Sequence, residues 1–145
     1  MSRQLSGVIM IGLVMLSLAG ASGCSGGSDE PPPANAQRIS VSFGDSLSFD
    51  QTALTAQAGT PVLLTVKSTG GTDHDFTIEG MPGRDVKNVI QSGHGHAKAG
   101  AVIGHPKQNG EVMIRFTPLT PGTYEFFCSV IGHRDAGMKG TLTVT

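Results

Sequence analysis

Beyond residue 37 the chain alternates apolar and polar positions in short runs, the period of two expected of strands with one buried face. Ile39, Val41 and Phe43 alternate with Ser40 and Ser42. Val62, Leu64 and Val66 follow the turn signal Ala58-Gly59-Thr60-Pro61, and Phe76 and Ile78 flank Thr77. Val112, Ile114 and Phe116 alternate with Met113 and Arg115 ahead of Pro118. Tyr124, Phe126 and Cys128 share one face, and Leu142 and Val144 close the chain. Short strands with this Gly/Pro punctuation predict an all-β, Greek-key sandwich or barrel of about 7–8 strands. Between Gly80 and Gly110 the alternation fails, so this stretch reads as a long loop, with one helical turn expected over Asp85 to Ile90.

The N-terminal residues follow a different pattern. Val8 to Ala19 is almost wholly apolar, interrupted by Gly12 and Ser17 and preceded by Arg3. A spanning helix needs about 20 such residues, whereas a signal-peptide core needs about 7–15. The run ends in Gly20-Ala21-Ser22-Gly23-Cys24, which resembles a bacterial lipobox with Cys24 as the lipidated residue. Ala19-Gly20-Ala21 is also an A-x-A-like cleavage site, and an uncleaved anchor is a third reading. All three place the rest of the chain outside the cytoplasm. Residues 25–37 are Gly, Ser and Pro rich and have nothing to bury, as expected of an extended tether. The expected organisation is a leader over 1–23, a tether over 24–37 and one domain over 38–145.

Composition narrows the function. Lys+Arg total 10 and Asp+Glu 11, for a net charge of -1, and there is no basic run. Removing residues 1–23 takes away only Arg3 and leaves about -2. This balance excludes a nucleic-acid binder of the usual basic kind. With 2 Cys, only one of them in the domain, no disulfide framework is available.

The chemistry lies in Cys128-Ser-Val-Ile-Gly-His133-Arg-Asp-Ala-Gly-Met138. A strand delivers Cys128 to one end of the sandwich, a loop presents His133, and the next strand begins at Met138. A thiolate, an imidazole and a thioether can then meet at one point. A second imidazole completes the two-nitrogen, one-thiolate, weak-thioether set of a type 1 copper site. The candidates for it are His74, His94, His96 and His105. His74 is favoured, because it opens the strand Asp75-Phe76-Thr77-Ile78; the other three fall in the long loop.

These residues resemble the cupredoxins, the plastocyanin/azurin family, and within it the auracyanins, over about residues 38–145. The match rests on the spacing of Cys128, His133 and Met138, the preceding Tyr124-Glu-Phe-Phe, the following Gly140-Thr-Leu-Thr-Val, and His74 with Asp75-Phe76-Thr77-Ile78. The resemblance implies a Greek-key β-sandwich holding one copper by His74, Cys128, His133 and Met138 and moving single electrons between protein redox partners. In the family the residue after the first His is commonly Asn, whose side chain ties the ligand-bearing loops together. Here it is Asp75.

Taken singly, Cys128 and Met138 would read as core residues, but His133 between them shifts the balance. Zinc would prefer four His, Cys or carboxylate ligands over a thioether. His94-Gly95-His96 could hold a surface ion, though solvated loop residues are the simpler reading. Met81-Pro82 reads equally as a partner contact or as a loop covering the core. The chain is expected to be a monomeric, lipid-anchored electron carrier, with copper storage, chaperoning or resistance as the alternative. An enzyme is disfavoured, because no nucleophile–base motif is present and a four-ligand set leaves no open position.

Overall fold

A computed structural model describes residues 31–91, 93–94 and 101–145. The leader, Cys24 and His96 lie outside the described residues. No described helix is long and apolar enough to cross a membrane.

Among the described residues ten strands form two sheets, and none of these residues is helical. One sheet contains β1 (Gln37–Phe43), β3 (Val62–Ser68), β8 (Glu111–Pro118) and β5 (Gly83–Gln91), in the order β1-β3-β8-β5. The other contains β2 (Ala53–Ala56), β10 (Lys139–Val144), β9 (Gly122–Phe127), β4 (Phe76–Glu79), β7 (Ala101–Pro106) and β6 (Gly93–His94), in the order β2-β10-β9-β4-β7-β6. The pairs β1–β3 and β10–β2 are parallel and the others antiparallel. This is the all-β sandwich expected from the alternation.

The alternating residues of each sheet meet between the layers. Val41, Val62, Leu64, Val66, Val112, Ile114 and Phe116 come from the first sheet, and Phe76, Ile78, Phe126, Leu142 and Val144 from the second; all are buried in one cluster. Phe76 stacks on Phe126 with centroids 4.9 Å apart, and Phe49 meets both rings edge-on at 5.9 and 5.2 Å. Met81 is buried in the same cluster while Pro82 is exposed, so this pair is a loop covering the core.

The stretch from Gly80 to Gly110 corrects the sequence reading. It holds β5, β6 and β7 rather than one long loop, and the helical turn expected over Asp85 to Ile90 is strand. In β5 the register against β8 shifts twice, between Arg84 and Lys87 and between Asn88 and Ile90, and Asp85 has φ 57°. Each irregularity interrupts the regular pairing, which erases a period of two. In β7 the inward positions are Val102, Gly104 and Pro106. Gly104 leaves no room for a side chain between the sheets: an added Cβ would lie 2.9 Å from Ile114 and 3.1 Å from both Val66 and Val112. β2 was also missed, because Leu54 and Ala56 alternate with Ala53 and Thr55 too weakly to register.

Candidate metal centre

Strand order explains how distant residues reach one place. β9 lies between β4 and β10 and is antiparallel to both. The start of β4, the end of β9 and the start of β10 therefore share one end of the sandwich. Thr77 pairs with Phe127, and Lys139 also pairs with Phe127. One step beyond that level lie Cys128 and Met138, whose backbones are joined by Cys128 N–H donating to the Met138 carbonyl at 3.0 Å. His74 and Asp75 immediately precede β4.

The connecting loop is held by its own backbone. His133 N–H donates to Val130 O and Met138 N–H to His133 O, each at 3.0 Å. Gly132 (φ 83°) and Gly137 (φ 106°) take left-handed conformations that favour glycine and let the loop turn back within so few residues.

His74, Cys128 and His133 converge, with ligand atoms all within 4.8 Å of one another. His74 Nδ1 lies 3.0 Å from His133 Nδ1, and Cys128 Sγ lies 3.8 Å and 3.5 Å from these two nitrogens. Cys128 and Met138 are both 0% exposed and His74 is 1% exposed. The Met138 side chain belongs to the same buried cluster as Cys128. His133 is half-buried and forms the solvent side.

Surrounding groups hold the donors. The His74 ring stands edge-on to Phe43, with centroids 5.4 Å apart. Its Nε2 is buried without a hydrogen-bond partner, while Nδ1 faces the other donors. The turn before His74 is clamped by Asp45, whose Oδ1 accepts from Gly71 N–H at 2.7 Å, Thr72 N–H at 2.8 Å and Thr72 Oγ1 at 3.0 Å. These donors, led by the Thr72 N–H, hold the Asp45 carboxyl below its usual range. Asp75 supplies the brace that Asn supplies in the family. Its N–H donates to Cys128 Sγ at 3.4 Å, its Oδ1 accepts from Ser129 N–H at 2.6 Å, and its Oδ2 accepts from the Ser129 hydroxyl.

Burial acts on two of the donors, His74 and Cys128. It lowers the His74 pKa, with His133 acting the same way, so a neutral ring offers its lone pair. It pushes the Cys128 thiol up, against the pull of the Asp75 and Val130 N–H groups. A metal binding there must displace the thiol proton.

Of the other candidate histidines, His105 lies on β7 rather than in a loop. Its Nε2 is 2.6 Å from Asp73 Oδ1, a hydrogen bond that holds it away from the cluster. His94 lies on β6, in register with His105.

A model of the copper binding proteins of the plastocyanin/azurin family matches residues 36–145. The chain belongs to the plastocyanin/azurin family. Among curated relatives, this family member is 30% identical over 115 residues to the copper-resistant cuproprotein CopI of Rubrivivax gelatinosus, covering 77% of this chain and 68% of that protein. It is 32% identical over 142 residues to auracyanin-B of Chloroflexus aurantiacus, covering 86% of this chain and 59% of that protein. A solved auracyanin B structure superposes with TM-score 0.60 at 26% identity, covering 83% of this chain and 96% of that one. The cofactor is copper, and the donors fit it: two imidazole nitrogens and one sulfur with a buried thioether nearby suit both copper oxidation states.

Proposed function

We propose that this chain is a membrane-tethered, extracytoplasmic electron carrier that holds one copper by His74, Cys128, His133 and Met138. The observation that carries this reading is the convergence of two Nδ1 atoms and one Sγ within 4.8 Å, closed on the core side and reaching solvent at His133. Copper bound there supplies a one-electron couple between Cu(I) and Cu(II). The chain keeps the donors fixed through that change. Cys128 and Met138 are locked at strand ends and His74 is wedged against Phe43, and a complete four-donor set would leave no open position for a substrate.

His133 provides the route to a protein partner. Beside it, Ile131 is 98% exposed, and Gly132, Ala136 and Gly137 are also exposed. Arg134 adds little free charge, because it pairs with Glu125 and lies over the Phe127 ring at 4.0 Å. A small apolar patch gives brief, fast-dissociating encounters and little long-range steering. The apolar segment before Cys24, followed by the Pro-rich tether, supports a lipid anchor that would keep a monomeric domain near its partners.

The likeness to a copper-resistant cuproprotein supports a second reading, in which the chain stores or hands on copper. Electron self-exchange between Cu(I) and Cu(II) copies, together with a Cu(I) chelator challenge, separates the two. A carrier exchanges rapidly and keeps its copper; a handler yields it to the chelator. Ile131→Lys is expected to slow self-exchange about tenfold or more by placing like charges face to face. Its spectrum should be unchanged and its stability within about 0.5 kcal/mol of the parent. An unchanged rate would move the exchange surface away from His133.

A further inference from the structure

We infer that the Asp75 carboxylate tunes the copper centre electrostatically, holding its reduction potential below the value a neutral residue at this position would give. This rests on the proposed ligand set. Asp75 directly follows His74, its own N–H donates to Cys128 Sγ, and it is 6% exposed. Its side chain only accepts hydrogen bonds: from Ser129 N–H at 2.6 Å, from the Ser129 hydroxyl, and from Thr77 Oγ1 at 3.5 Å.

A buried negative charge stabilises the more positive oxidation state, Cu(II), over Cu(I). Asp73 and Asp45 also act on His74, and Asp135 lies in the ligand loop, but all three are exposed to solvent, which weakens their fields. Asp45 is exposed and spends one oxygen on the 71–72 turn. Asp73 is exposed and paired with His105. On the far side of the ligand loop, Arg134 is engaged by Glu125. Asp75 is therefore the buried carboxylate of this group, where solvent screening is weakest.

The brace and the charge are separable. Asp75→Asn keeps the shape and an oxygen that can accept the Ser129 N–H, while removing the charge and one of the two acceptor oxygens. Ser129→Ala keeps the charge and removes the hydroxyl dipole that offsets it. Both variants loosen the same brace, so a structural role alone predicts shifts of one sign. A field effect predicts opposite signs.

The test is redox titration of the copper-loaded parent, Asp75→Asn and Ser129→Ala proteins, each followed by its visible band. Asp75→Asn should retain the band and lower the ratio of Cu(II) to Cu(I) affinity at least tenfold, a rise of about 59 mV for one electron. Ser129→Ala should shift the potential downward. An unchanged Asp75→Asn potential, or shifts of the same sign in both variants, overturns the inference while leaving the ligand set intact. If Asp75→Asn does not fold, the sign of the Ser129→Ala shift decides. A parent with no thiolate band at all overturns the ligand set and this inference with it.

Discussion

Cys128→Ser is expected to abolish the intense visible band of the Cu(II)-loaded protein while leaving the sandwich folded. The band requires a metal–thiolate bond, and Cys128 supplies the only sulfur in the His74–Cys128–His133 donor group. A hydroxyl is close to a thiol in size, and the Asp75 N–H that now reaches Sγ offers it a hydrogen bond. The stability cost should therefore stay near 1–2 kcal/mol, within the range for burying a partly satisfied hydroxyl. Copper affinity should fall by more than the 10–100-fold typical of losing an outer partner of a ligand. Circular dichroism checks the fold and absorbance titration checks the band. A Ser variant that stays blue would place the thiolate elsewhere.

His74→Ala should have the next largest effect. It removes a nitrogen donor and leaves a hole beside Phe43, so destabilisation on the order of 2 kcal/mol is expected. The blue spectrum should collapse, and added imidazole should restore part of it by entering the hole. Replacing His94, His96 and His105 together by Ala should leave the spectrum in place, because His105 is directed to Asp73. Loss of colour in the triple variant, with retention in His74→Ala, would move the fourth ligand to that segment.

What could be read without coordinates follows from how local each feature is. Cys128, His133 and Met138 lie within one short segment, so their spacing alone suggested a shared centre. His74 is 54 residues from Cys128 along the chain and 3.8 Å away in space. The β4–β9 pairing brings them together, and the sequence offered no more than a histidine ahead of a strand. The strands with regular alternation were legible because the sandwich interior imposes it. β5 and β7 were not, because a bulged edge strand and an inward glycine hide the period. The carboxylate brace was visible only as a departure from the family, and its partner, Ser129, carried no signal of its own. A serine after the ligand Cys becomes meaningful once Asp75 is seen to reach it.

The most direct test of the central claim is an optical and EPR spectrum of the full chain titrated with Cu(II). A single equivalent should bind with an intense visible thiolate band and a compressed copper hyperfine splitting, both absent from Cys128→Ser. Weak ligand-field absorption with an ordinary wide hyperfine splitting would mean that copper is not held by the Cys128 thiolate, and the proposed centre would be wrong.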